Sequence, residues 1–178
     1  MNLWHEVTRG KNIPEEFNCI IEIPKGSNNK YEIDKDTGMI KLDRANYGPT
    51  AYPFDYGFVP QTLWEDGDAL DVLVLSTYPI PSGILVNVRP VGIMEMIDSG
   101  ESDSKIIAVP IDDQRWEDVK DLKDINKHSL REFADFFQTY KALKAKQSIV
   151  TVHGFKDKAA AIEAIHRSIT LYEEKFGK

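Results

Sequence analysis

Three aspartates, Asp66, Asp68 and Asp71, fall within six residues and run straight into the apolar segment Val72-Leu-Val-Leu75. A short apolar, β-branched run of this kind reads as a buried strand, so its leading end carries carboxylates to the rim of a core. Gly67 lets the backbone turn tightly between them. A turn over 66–69 brings Asp66 and Asp71 together and leaves Asp68 beside them. At ~4 Å and an effective dielectric of ~20, each like-charged pair costs about 4 kcal/mol. Either one carboxyl is protonated or a cation sits between them. Oxygen donors suit Mg²⁺, Mn²⁺ or Ca²⁺ rather than zinc, and the spacing and closing glutamate of an EF-hand are missing. Asp66-Gly67 also supplies ordinary turn chemistry, so a solvated acidic turn accounts for the tripeptide equally well.

Charge narrows the partners. The 178 residues hold 22 Lys and Arg against 29 Asp and Glu, a formal charge of −7. A polyanion needs a basic face, so no nucleic-acid partner is expected. A small anionic substrate is still open, because bound metal ions invert the local field. The single cysteine, Cys19, rules out an internal disulfide and implies a reducing compartment. The longest uncharged stretch, 72–88, is broken by Pro79, Pro81 and Gly83 and cannot be a membrane helix. A soluble, cytoplasmic protein with no membrane partner is expected.

Strand patterns dominate the first two-thirds. They cover 17–24 (stopped by Pro24), a hairpin of 30–34 and 39–43, then 70–77, 84–96 with a bend at Pro90 and Gly92, 105–110 and 147–152. Residues 45–65, rich in Tyr, Pro and Gly, read as irregular. Helices belong to the last third. Ser129 is the expected N-cap of a helix with Phe133, Phe136, Phe137 and Tyr140 on one face, and Glu132 is its capping-box partner. A second helix, 158–176, aligns Ile162, Ile165, Ile169, Tyr172 and Phe176. Strands first and helices later predict a single α+β domain over 1–178, a barrel or twisted sheet with helices packed on it.

Further charged groups accompany the aspartates. Asp98, Glu101 and Asp103 follow the long strand; alone they read as an exposed loop, although Asp103 and Lys105 share a strand face. Lys30 and Glu32 alternate on one face, where an exposed ion pair is the simple reading, and Arg44 ends the next strand. Tyr52 and Tyr56 lie in Ala51-Tyr-Pro-Phe-Asp-Tyr-Gly57, and Tyr140-Lys141 ends the Phe-rich helix. The four histidines are scattered without metal-ligand spacing.

The string Asp66-Gly-Asp-Ala-Leu-Asp-Val72 resembles the signature of the soluble family I inorganic pyrophosphatases. Ile21-Glu-Ile-Pro24, Lys30-Tyr-Glu-Ile-Asp34, Asp43-Arg44, Tyr52-Pro-Phe-Asp-Tyr-Gly57, Arg89-Pro-Val-Gly92, Lys105-Ile-Ile-Ala-Val-Pro110 and Phe136-Phe-Gln-Thr-Tyr-Lys141 resemble further blocks, in family order. Length and spacing are similar to the short bacterial type. The resemblance implies a five-stranded OB-like β-barrel with flanking C-terminal helices and a homohexamer. It also implies hydrolysis of pyrophosphate to two orthophosphates with several Mg²⁺ per site, Mn²⁺ or Zn²⁺ being possible substitutes.

By matching position, the resemblance implies that Asp66, Asp71 and Asp103 hold two metals, Asp71 bridging them. Asp98 joins Asp103 at another, and Glu32 helps hold one more. Asp68 is the implied general base. Lys30, Arg44, Tyr56, Tyr140 and Lys141 grip phosphate, and Lys105 lies close by and counts, with Asp68, Arg44 and Tyr56, among the catalytic groups. Glu22 and Tyr52 match positions at the cavity wall. Many relatives carry Glu after the residue matching Asp98, and here that position is Ser99.

This inventory suits the chemistry. Pyrophosphate and hydroxide are both anions, so metals and cationic side chains must first offset their repulsion. No Gly-x-x-x-x-Gly-Lys loop is present, and direct in-line attack needs no covalent intermediate. Hydrolysis of another small phosphoanhydride is the alternative enzyme reading. From other classes come an OB-like binding module, which would need a basic groove with aromatic platforms, and a calcium-binding structural domain.

Overall fold

The computed structural model describes residues 1–146 and 148–177. Its strands are Phe17–Ile23 (β1), Asn29–Ile33 (β2), Ile40–Ala45 (β3), Asp55–Phe58 (β4), Asp71–Val74 (β5), Leu85–Asp98 (β6), Glu101–Ser102 (β7), Lys105–Pro110 (β8) and Val150–Lys156 (β9). Two α-helices, Lys127–Thr139 (α1) and Lys158–Phe176 (α2), flank β9 in the chain.

Five strands close a ring. β1 pairs with β4 and β6, β4 with β5, β5 with β8, and β8 with β6. All these pairings are antiparallel except β5–β8. The expected barrel is therefore present. One edge of β6 serves two partners in turn: its first half closes the ring against β1, and its second half carries β9. The register shift between Pro90 and Gly92 lies at the bend expected there. β2 and β3 form a separate hairpin.

The ring depends on a close approach at Gly57. A Cβ there would lie 2.1 Å from the Ile20 carbonyl oxygen, so β4 could not pack against β1 with any larger residue. β4 falls inside the segment read as irregular. Its hydrophobic pattern is interrupted by Asp55, which is fully buried. That carboxylate accepts from the Lys25 and Ile80 N–H groups at 2.8 and 3.0 Å and from the Ser76 hydroxyl, so the core carries it at tolerable cost.

The helices cover different faces. α1 buries Phe133, Phe136 and Phe137, as expected, against Tyr52 and Phe54. Tyr140 stacks on Phe136 at 5.1 Å between centroids and is half-buried. The N-cap of α1 is Asn126, not Ser129: its Oδ1 accepts the His128 and Ser129 N–H groups at 2.8 and 3.3 Å. Asn126→Ala is expected to cost about 1 kcal/mol, a Tm fall of about 2–4 °C, whereas Ser129→Ala leaves the melt within about 1 °C; thermal unfolding checks both. α2 is rotated from the expected face. Ala161, Ala164, Ile165, Ser168 and Tyr172 are buried, while Ile162, Ile169 and Phe176 are only partly covered. Small residues let the helix axis sit close to the barrel. β9 begins at Val150 rather than at 147, and Gln147 lies outside the described residues.

Candidate functional site

A cavity of about 750 Å³ opens between the β2–β3 hairpin, the barrel and the end of α1. Every residue expected at the site lines it: Lys30, Glu32, Arg44, Tyr56, Asp66, Asp68, Asp71, Asp98, Asp103, Lys105, Tyr140 and Lys141. Glu22 and Tyr52 line it too. Residues far apart in the chain thus converge, as the barrel requires: β5 and β8 run parallel and set Asp71 in register with Lys105.

The centre is the Lys105 ammonium, 2% exposed, which lies 2.7 Å from Asp71 Oδ2 and 2.7 Å from Asp103 Oδ1. Tyr56 donates its hydroxyl proton to the same Asp71 oxygen at 2.5 Å. Burial opposes the lysine's charge, but Asp103 and Asp71 outweigh it and hold the ammonium protonated well beyond its ordinary range. Burial pushes Asp71 up, with Asp103 adding to the rise while Lys105 resists it. The Tyr56 hydroxyl is kept protonated by burial and by Asp71 and Asp103.

Asp66 is the carboxylate this lysine leaves over. Burial and the charge of Asp71 push it up to about 7. The turn closes two residues earlier than expected, over 64–67: the Gly67 N–H donates to the Trp64 carbonyl at 3.1 Å, Gly67 takes φ +86°, the Asp68 N–H donates to Asp66 Oδ1 at 3.1 Å, and the Trp64 N–H donates to the Asp68 carbonyl at 2.7 Å. Among the described residues no three acidic, histidine or cysteine side chains stand at metal-coordinating distance; Lys105 occupies the space between Asp71 and Asp103. The residues nonetheless fit hard divalent cations. The donors are all oxygen, and Asp66 has the protonation behaviour of a carboxylate short of positive charge. The lining as a whole holds ten acidic and seven basic residues, a net −3.

A second, cationic end lies on the hairpin and the α1 terminus. Lys30 stands opposite Arg44 across β2 and β3, and Asp43 gathers both, at 3.0 Å from Lys30 Nζ and 2.7 Å from Arg44 Nη1. Lys30 also meets Glu32 at 2.8 Å; burial opposes its charge, and these two acids raise its pKa nevertheless. Arg44 Nε and Nη2 are buried without a hydrogen-bond partner. Donors left bare beside a cavity are placed to take an anion's oxygens. Lys141 pairs with Asp98 at 2.5 Å, and this contact, with burial working against it, keeps the Asp98 pKa low. Ser99 donates to Asp98 at 3.0 Å and takes φ +51° in the tight turn joining β6 to β7, so the segment read as an exposed loop is a hairpin.

Two residues that pair with site side chains had no role in the sequence expectation. Asp43 was legible as the neighbour of Arg44 across from Lys30, once the hairpin register is set. Lys35, in the hairpin turn, pairs with Asp68 at 2.5 Å, and nothing local in the sequence marks it. Glu22 is buried and accepts from the Ile33 N–H at 2.7 Å; burial first, and Asp71 second, push it up to about 8.

Comparison with known proteins identifies the family. A family model described as inorganic pyrophosphatase matches residues 19–173. The chain is 45% identical to the inorganic pyrophosphatase of Haloferax volcanii over 179 residues, 99% of each protein. It is 48% identical to that of Thermus thermophilus over 165 residues, 92% of this chain and 94% of the relative. The crystal structure of inorganic pyrophosphatase from Thermus thermophilus superposes with a TM-score of 0.94, over 97% of this chain and 99% of that one. Barrel, signature loop and full-length similarity lead to one assignment: the chain belongs to the soluble family I inorganic pyrophosphatases.

Proposed function

We propose that this protein hydrolyses inorganic pyrophosphate to two orthophosphates by direct attack of a metal-activated water, with Mg²⁺ as the working ion and Mn²⁺ or Zn²⁺ able to substitute. The observation that carries the reading is the two-ended cavity: surplus carboxylates around Asp71 at one end, and cations with bare donors around Arg44 at the other. Asp66, Asp71 and Asp103 would hold the ions, Asp71 shared between two, with Asp98 and Glu32 at outer positions. Bound there, divalent cations lower the pKa of a shared water and draw charge from the phosphates.

The remaining work falls to side chains. Asp68 takes the proton of the attacking water. The water oxygen bonds to one phosphorus as the bridging P–O bond breaks, and the electron pair leaves on the second phosphate. Arg44 Nε and Nη2, with Lys30, Lys141, Tyr56 and Tyr140, hold phosphate oxygens and stabilise the departing group. Lys105 keeps Asp71 and Asp103 at a workable charge. The Lys30–Glu32 and Lys141–Asp98 pairs exchange partners as ions and phosphate enter.

The same reading has the chain act as a cytoplasmic homohexamer. Tyr78, Ile84 and Leu85, at 70%, 46% and 51% exposure, offer apolar surface for contact between copies. Phosphate release from pyrophosphate, in Mg²⁺ and in EDTA, with ATP as a parallel substrate, tests the activity. Release in Mg²⁺, loss in EDTA by at least about a hundredfold and little release from ATP are expected. Equal rates with and without metal, or faster release from ATP, would overturn it.

A further inference from the structure

An ion pair joins the β2–β3 hairpin to the acidic loop. Among the described residues, Lys35 makes the only ion pair from this hairpin to the rest of the chain, and its partner is Asp68. Its placement is built from several directions. The turn that carries it packs against the N-terminal segment so closely that a Cβ on Gly38 would lie 2.6 Å from Asn2 Cα. The Leu3 N–H donates to the Gly38 carbonyl at 3.4 Å. Lys35 Nζ lies 5.7 Å from the centroid of the Trp4 ring, and that ring is fixed by its N–H to the Thr62 carbonyl at 2.8 Å. Thr62 in turn accepts the Leu70 N–H at 3.0 Å, tying the platform to the loop that contains Asp68.

Stability does not explain the pair. Both side chains are 56% exposed, and exposed ion pairs contribute little to folding. Lys35 apart, Asp68 is held among the described residues only through its backbone in the turn, by Asp66 and Trp64. Without Lys35 its carboxylate is free to rotate. A proton acceptor must stand within about 3 Å of the proton it takes, and a displacement of 1 Å can cost as much as ~100-fold in rate.

We propose that Lys35 is a positioning residue for hydrolysis: its ammonium fixes Asp68 Oδ1, so that Oδ2 is presented to the attacking water. This rests on the reading of Asp68 as proton acceptor given above.

The test is a double-mutant cycle on the full chain with Mg²⁺ and pyrophosphate. Lys35→Met is expected to lower kcat about tenfold with KM within about twofold and Tm within about 2 °C, and Lys35→Arg to recover at least about half of kcat. On an Asp68→Asn background, Lys35→Met should cost nothing further, because its only route of action is gone. Unchanged kcat in Lys35→Met, a rise in KM alone, or losses that multiply in the double variant would each overturn the proposal while leaving Asp68 in its role. Near-normal turnover of Asp68→Asn would remove the proton-acceptor assignment itself and Lys35's role with it.

Discussion

Asp71→Asn is expected to cut Mg²⁺-supported phosphate release by at least about a thousandfold, some 4 kcal/mol of transition-state stabilisation, while the barrel persists. Asp71 opens β5, partly buried beside Lys105 and in contact with Tyr56. An amide keeps the size, and with its oxygen in the place of Oδ2 it still accepts from both Lys105 and Tyr56. It removes the negative charge that a bridging ligand must share between two cations. The fold has less to lose. Burial already works against the Asp71 charge, and Lys105 keeps Asp103 as partner. A Tm within about 5 °C of the parent, measured beside the phosphate assay, is expected. Turnover within tenfold of the parent would rule out the bridging role.

The contrast between turnover and stability reflects how the site was legible. The Asp66–Asp71 string announces crowded carboxylates, and the strand behind it fixes where they face. Block order extends this to Lys30, Arg44, Asp98, Asp103, Lys105, Tyr140 and Lys141, but only through resemblance. Periodicity has no means of bringing Lys141 to Asp98, 43 positions away, or Tyr56 to Asp71, 15 away. Those meetings are products of the closed ring and of α1 packing on it. β4 was hidden because a buried acid, Asp55, breaks the apolar pattern that betrays a strand, and its hydrogen-bond partners come from two distant loops. The rotation of α2 escaped for a related reason: Ala161, Ala164 and Ser168 bury little area each, and the isoleucines dominate the sequence pattern. Lys35 was invisible because a lysine in a hairpin turn is ordinary. Its meaning depends on Gly38 packing against Asn2, a contact between the N-terminal segment and the hairpin.

The largest stability effect belongs to Lys105→Met. The side chain is 2% exposed, and its ammonium lies 5.3 and 5.4 Å from the Tyr56 and Phe137 ring centroids, so the flexible methionine side chain follows the same channel, one atom shorter. What it lacks is the charge. Two carboxylates that each held a 2.7 Å contact with Lys105 lose it inside the protein. Breaking a buried pair in this way costs about 3–5 kcal/mol, a Tm fall of roughly 10 °C. The pH dependence identifies the cause. Burial has already raised the Asp71 carboxyl above its unfolded value, and removing Lys105 raises it further. Stability tied to a raised carboxyl is fully present below the unfolded pKa of about 4 and is lost as pH climbs through the folded value. The variant should therefore melt within a few degrees of the parent near pH 4 and fall progressively behind it toward pH 8. Millimolar Mg²⁺ should raise its Tm at pH 8 by more than it raises the parent's, because the added ions restore positive charge where the lysine supplied it. A deficit of the same size at every pH, with no extra gain from Mg²⁺, would mean that Lys105 acts as packing and that the acidic end of the cavity tolerates its own charge.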